Sequence, residues 1–485
     1  MKVIMKRIAI VGGGISGLSA AFEVEKQKRR DAQVEYVVFE AGTRCGGVIH
    51  TERVDDCIVE AGPDSFLTEK PWAADLCREL GLGEQVIGSN DAGRTTYILV
   101  KGRLAPLPDG MMFMVPTKLA SAFSSPLFSW KTKLRMVREW FYRTPHESSE
   151  VSVAEFVERH YGREMVERVA DPLLAGVYGG SADELSVSAV LPRFVDMEAK
   201  SGSLGRAMVV SRRRLRAELG SAGQPRAAVP TLFTSLKDGM QQMIEALLAR
   251  MPASNCRLAM RVEAVTPESC KWLVVSEGRR TEEFDAVIVA LPAYLAAKIL
   301  ADAGELAADL AAIRYSSSVT VALGYDEAVR AALPAGFGFL VPRNENKRML
   351  AVTFVHNKFS HRVPENMALI RCFLGGTRDE DIAKDSENDI EALVRRELEQ
   401  ILGIKAQPRF IRVYKWEHAM AQYGIGHIGR IERIRKLVSE MPGLALAGNA
   451  YGGIGVPDCV RSGSEAAAKI FNDLQIDQPA MQRAR

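Results

Sequence analysis

The sequence predicts an α/β fold, a parallel sheet wrapped by helices and interrupted by large insertions. Two glycine-rich segments and the distance between them carry this expectation. The chain opens with Arg7-Ile8-Ala9-Ile10-Val11-Gly12-Gly13-Gly14-Ile15-Ser16-Gly17. Near its end stands Ala447-Gly448-Asn449-Ala450-Tyr451-Gly452-Gly453-Ile454-Gly455-Val456-Pro457-Asp458. Between them, β-branched alternating stretches mix with stretches of helical period, as where strands and helices share one core. At 485 residues the chain is too long for one small core and should divide into two or three domains.

The opening segment reads as strand, turn and helix. Ile8 to Val11 is too short for a helix and abuts glycines. Gly12 permits the tight turn, Gly14 lets a phosphate approach the backbone, and Gly17 lets the helix pack on the strand. The free N–H groups at the helix start, at Ile15 and Ser16, then face a pyrophosphate, helped by the helix dipole. A helical stretch runs from Leu18 to Lys28, followed by the strand Val34-Glu35-Tyr36-Val37-Val38-Phe39 and Glu40-Ala41. Glu40 falls at the spacing of an acid that accepts hydrogen bonds from a ribose; a cap on the strand end is its other reading. Strand, turn, helix, strand and acid in this order describe a Rossmann-like dinucleotide site.

The next segment selects the dinucleotide. Arg44-Cys45-Gly46-Gly47-Val48-Ile49-His50-Thr51 resembles the FAD-binding pattern of glutathione-reductase-like flavoproteins. Gly46 and Gly47 let main chain pass close to a cofactor, and Arg44 can face its phosphates. FAD is expected rather than NAD. At the far end, Gly448, Gly453, Gly455 and Val456 are expected to bring main chain to the isoalloxazine, with the following helix start aimed at its pyrimidine edge. Gly62, Pro63 and Asp64 sit where the chain turns back toward the cofactor. The segment Met260 to Val265 reads as a strand passing the adenine, with Val262 the candidate contact and an ordinary sheet residue the alternative.

Composition excludes several classes. The chain is 47% hydrophobic and 25% charged with a net charge of +3, too mild for nucleic acid. No apolar run reaches the roughly 18–20 residues of a membrane span. The seven cysteines are scattered without a CxxC, and the seven histidines show no metal spacing; a reduced, cytoplasmic compartment and no metal are expected. Between Met111 and Arg143, aromatic and apolar residues alternate with lysines and arginines. The apolar face there reads as core, with an interfacial helix on the inner face of the plasma membrane as the other reading.

The expected organisation is a discontinuous cofactor domain (1–90, 228–292 and 410–475), a substrate domain (91–109 and 293–409) on an antiparallel sheet, and a helical lobe (110–227). Residues 198–229, with Arg212-Arg213-Arg214, read as a solvated loop.

Further blocks narrow the family. Glu60-Ala61-Gly62-Pro63-Asp64-Ser65-Phe66, Asp171-Pro172-Leu173-Leu174-Ala175-Gly176-Val177-Tyr178-Gly179-Gly180 with Glu184-Leu185-Ser186, and Trp416-Glu417-His418-Ala419-Met420-Ala421-Gln422-Tyr423, together with the last glycine segment, resemble the protoporphyrinogen oxidase family over nearly the whole chain. Ala421 stands where that family commonly has proline. The resemblance implies an amine-oxidase-type FAD domain with an α+β substrate domain. It also implies six-electron oxidation of a porphyrinogen (protoporphyrinogen IX or coproporphyrinogen III) in heme biosynthesis, with O2 or a quinone as acceptor. It gives Gly176 a carbonyl facing the macrocycle, a plain turn glycine being the alternative. It makes Arg94 the match for a propionate-binding arginine, against a solvated surface residue. A homodimer and a membrane surface stay open as partners. The rivals are a flavin amine oxidase, a carotenoid desaturase and a flavin-binding protein without turnover.

Overall fold

The computed structural model describes residues 5–30, 32–142, 150–211, 231–278 and 280–476. Its centre is a five-stranded, all-parallel sheet in the order Cys256–Arg257, Val34–Phe39, Lys6–Val11, Ala286–Val289 and Leu444–Leu446. Ile8, Ile10, Val38, Val287 and Ile288 are wholly buried, as a parallel sheet covered on both faces requires. The helix Ile15–Lys28 starts three residues before the expected Leu18, directly from the glycine turn. It lies against the last helix, Val456–Asp473, so closely that a Cβ on Gly463 would meet the Ser16 carbonyl oxygen at 2.2 Å. An antiparallel sheet of Val262–Glu268, Lys271–Ser276 and Arg280–Phe284 adjoins the core.

A seven-stranded sheet forms the second body, in the order Phe410–Ala421, Tyr315–Asp326, Met367–Gly375, Met349–Phe354, Gly338–Leu340, Thr96–Val100 and Arg103–Pro106. Helix Glu387–Leu402 packs Ile390, Val394 and Leu398 onto it. Ser386 caps the start of that helix and Gly403 ends it in the left-handed conformation, the expected start and stop chemistry.

Three expectations need correction. Phe410–Ala421, placed in the cofactor domain by sequence, pairs with Tyr315–Asp326 over its whole length; two twelve-residue strands satisfy each other's backbone, which no local pattern reveals. The strand expected from Met260 begins only at Val262, after Ala259 with φ +50°. There the N–H groups of Ala259 and Met260 bond the carbonyls of Gly42 and Glu40, drawing the chain off the sheet. Residues 198–201 complete the helix Pro192–Ser201, and 204–211 are also helical rather than loop; Arg212-Arg213-Arg214 lies outside the described residues. In the second body, strand Met349–Phe354 gives way to a short helix, Val355–Lys358.

The helical lobe is held by a buried ion cluster. The His160 ring lies 3.2 Å from Glu139 and 3.0 Å from Glu198. Glu139 also accepts the N–H groups of Leu204 and Gly205. Burial disfavours a charged His160, but the two carboxylates outweigh it and raise its pKa above 6.5. A group raised on folding contributes stability below its unfolded pKa and loses it as pH rises through the folded value. His160→Gln should therefore destabilise most at about pH 6 and progressively less toward about pH 9, read by urea denaturation of both proteins.

Candidate active site

Three glycine loops converge at the carboxyl ends of the parallel strands, where open α/β sheets bind ligands. In the first, Gly12 has φ +112°, and its Cβ would lie 2.4 Å from the Ala290 carbonyl oxygen. A Cβ on Gly17 would lie 1.9 Å from the Gly12 oxygen. These two glycines serve packing. Gly14 differs: a Cβ there meets nothing within 4 Å. No side chain caps the helix that begins at Ile15, and its first turn, with Ser16 and Gly17, carries no acid. An open approach to uncapped N–H groups is a place for an anion.

The second loop is zipped to the first. The Gly46 N–H donates to the Gly13 carbonyl at 2.8 Å, and Gly14 bridges Gly46. Gly46 and Gly47 have φ of +110° and +57°. Glu40 stands between the loops, accepting the Gly13 N–H on Oε2 and the Gly42 N–H on Oε1, both at 2.7 Å. Each oxygen keeps acceptor capacity for a hydroxyl. Ala41 is exposed beside it. Arg44, expected to face the cofactor phosphates, donates to the carbonyls of Cys45, Gly47 and Ile49, so its guanidinium also shapes its own loop. Val262 opens its strand opposite Ser276 with a buried side chain, two residues after Met260, which binds the Glu40 carbonyl.

The third loop precedes the second helix start. Gly448 and Gly453 have φ of +142° and +131°, and a Cβ on Gly453 would strike the Asp458 carboxyl at 2.3 Å. Asp458 accepts the Gly455 N–H and the Lys70 ammonium, the latter at 2.5 Å, and the helix begins at Val456. Tyr423, which sequence did not single out as a site residue, fixes this loop: its hydroxyl accepts the Gly453 N–H at 2.8 Å and donates to the Asn449 carbonyl at 2.6 Å. Its signal was present in the Gln422-Tyr423 block.

Gln422 fixes the helix that carries Gly176. Its Nε2 donates to the Tyr178 carbonyl at 2.8 Å and to Ser316 at 3.0 Å. It thereby holds the end of helix Asp171–Tyr178, which carries Gly176. That helix follows a π-helical turn, Val166–Ala170, widened where Pro172 can neither donate nor tolerate a carbonyl four residues back. Asp171 anchors it through Arg378 and the Ala182 N–H. Gly176 is exposed beside Leu340, and no described donor bonds its carbonyl. Leu340 pairs with Ile98 in the strand that begins two residues after Arg94. Arg94 itself is half exposed, 3.7 Å from Asp91, and the structure does not bring it into contact with Gly176.

Gly62, Pro63 and Asp64 lie just behind the second loop, where a Cβ on Gly62 would meet the Val48 carbonyl oxygen at 2.0 Å. From the opposite side, Trp416 donates to the Ala61 carbonyl and Arg371 to that of Gly62. Asp64 faces not outward but into a buried cluster with Lys358 and Arg371. Burial would raise its pKa, yet these cations hold it well below the usual carboxylate range.

The fold and these loops define a dinucleotide-binding flavoprotein, and the open cradle at Gly14 with the uncapped helix start at Ile15 fits FAD. The profile of the family described as flavin containing amine oxidoreductase matches residues 15–471. Coproporphyrinogen III oxidase of Bacillus subtilis is 34% identical over 472 residues, covering 97% of this chain and 98% of its own. Protoporphyrinogen oxidase 2 of Arabidopsis thaliana is 27% identical, covering 97% and 94%. A solved structure from Exiguobacterium sp. 255-15 is 29% identical with a TM-score of 0.85, covering 98% and 100%. The cyclohexylamine oxidase of Brevibacterium oxydans, at 16% identity and a TM-score of 0.68, shares the fold. The chain belongs to the flavin containing amine oxidoreductase family, and its cofactor is FAD.

Proposed function

We propose that this chain oxidises a porphyrinogen to a porphyrin in heme biosynthesis, with coproporphyrinogen III as substrate and O2 as acceptor. The observation that carries this reading is the junction of Gln422-Tyr423 with both the Gly176 helix and the third glycine loop. One dipeptide thus holds together two of the blocks that resemble the protoporphyrinogen oxidase family. The choice of coproporphyrinogen is supported by the curated relatives at 34% and 30% identity, both named for it.

When bound, FAD supplies the two-electron redox chemistry. The chain's own part is to hold and orient. Ile15, Ser16 and the glycines at 14, 46 and 47 receive the pyrophosphate, Gly12 and Gly17 hold the turn that presents them, and Glu40 with Ala41 receives the ribose. Backbone near Val262 borders the adenine, and Gly62 to Asp64, Gly448, Gly453, Gly455 and Val456 border the isoalloxazine. The unbonded Gly176 carbonyl accepts from pyrrole N–H groups, and Arg94 meets a propionate. Aerobic turnover should release about three peroxides per porphyrin, as two-electron chemistry requires. A yellow protein that turns over an amine and no porphyrinogen would refute the reading.

A second reading concerns location. The face of helix Trp130–Glu139 expected to be core buries only part of its apolar set: Met136 is inside, while Trp130, Leu134, Val137 and the following Phe141 are exposed by 70%, 64%, 38% and 75%. Lys131, Arg135 and Arg138 are exposed beside them. No described helix is long and apolar enough to cross a membrane, but aromatics edged by cations suit an anionic lipid surface. Trp130→Glu with Phe141→Glu should abolish co-sedimentation with anionic vesicles and leave turnover intact; a wild-type chain that stays in the supernatant would end this reading.

A further inference from the structure

Five ionisable side chains are shut between the cofactor sheet and the seven-stranded sheet. Glu60 and Asp64 come from the segment behind the second glycine loop; Lys358, Arg362 and Arg371 come from the opposite body. Arg362 is 0% exposed, Arg371 1% and Glu60 2%. The contacts are specific. Lys358 Nζ lies 3.0 Å from both Asp64 oxygens and from Ser65 Oγ. Arg371 Nη2 donates to the Gly62 carbonyl at 2.6 Å, and its Nη1 lies 3.4 Å from Asp64. Arg362 pairs with Glu60 at 3.2 Å and donates to the Asp64 carbonyl.

Three cations against two carboxylates leave one positive charge in excess inside the protein. Aromatic faces take part of it: Lys358 sits over Phe233 and Phe359, Arg362 over Phe359, and Arg371 over Phe373. The Nε atoms of Arg362 and Arg371 are buried without a partner among the described residues. Such an excess is expensive for stability alone, since replacing buried ions with apolar groups is often neutral or favourable. The cluster touches the cofactor loops directly, through Gly62 against Val48.

We propose that Lys358 and Arg371 are positioning residues that raise the redox potential of the bound flavin, acting through the loop Ala61–Asp64. The inference rests on the reading that places this loop beside the isoalloxazine. Buried positive charge favours the form of a neighbouring cofactor that has gained electrons, and low-dielectric surroundings strengthen the effect. The same contacts tie the cofactor loop to the sheet beside Gly176, so substrate side and cofactor share one rigid support.

The test is the midpoint potential of purified, FAD-loaded variants. Lys358→Met and Arg371→Gln remove positive charge, and each should lower the ratio of reduced to oxidised flavin at least tenfold, about 30 mV for two electrons. Asp64→Asn removes negative charge and should raise the potential. Arg371→Lys keeps the charge and should restore most of the Arg371→Gln loss. Mere loosening of the loop would move all four variants the same way, and that outcome, or no shift, overturns the proposal. Should Lys358→Met fail to retain FAD, Arg371→Gln and Asp64→Asn still carry opposite signs. A wild-type protein that holds FAD but ignores porphyrinogens would defeat the proposed function and leave these potentials measurable.

Discussion

Gly17→Val is expected to give a protein that retains no flavin and folds poorly. The added Cβ would stand 1.9 Å from the Gly12 carbonyl oxygen and 3.2 Å from the Ala290 Cβ. Neither neighbour can yield, because one is backbone of the turn and the other ends a central strand. Overpacking of this kind costs about 1–3 kcal/mol, and here it also displaces the N–H groups that face the cofactor. Gly14→Ala is the contrast, since its Cβ meets no protein atom within 4 Å. It should leave the flavin-free protein as stable as the parent and weaken FAD retention. Absorbance of retained flavin after gel filtration, with urea denaturation of the apoprotein, separates the packing glycine from the ligand-facing one.

Arg362→Met is expected to be the most destabilising single change in the charge cluster. It leaves Glu60 at 2% exposure without its cation, and stranding one partner of a buried pair costs about 3–5 kcal/mol. Glu60 keeps its bonds from Thr51 and the Met240 N–H. Burial already raises its pKa above 4.5, with Arg362 the largest opposing influence; without Arg362 it rises further. An acid raised on folding contributes stability below its unfolded pKa and loses it as pH rises through the folded value. The deficit against the parent should therefore be small near about pH 5 and grow toward about pH 7.5. A deficit independent of pH would mean that lost packing, not a stranded carboxylate, dominates.

The sheet core was legible because its signals are local. Val34–Phe39 has the bounds read from its β-branched run. The glycine loops were legible too, since each glycine answers a turn or a close approach that its neighbours imply. What escaped was pairing at a distance. Nothing near Phe410 announces a partner at Tyr315, and the cluster at Asp64 draws on residues some 300 positions away. Arg371 within Leu369-Ile370-Arg371-Cys372-Phe373 was the available hint, a charge inside an otherwise apolar strand. The stretch from Met111 to Arg143 was legible only in part: Met114, Leu127, Phe128 and Met136 are buried as core, whereas Trp130 and Phe141 are exposed, because composition shows that a face is apolar, not whether anything covers it.

Anaerobic mixing of the FAD-loaded protein with coproporphyrinogen III is the decisive experiment. The flavin absorbance should bleach as porphyrin fluorescence appears, and readmitted air should restore the yellow form. If the flavin stays oxidised with coproporphyrinogen III and with protoporphyrinogen IX, yet bleaches with an amine, the porphyrinogen assignment is wrong.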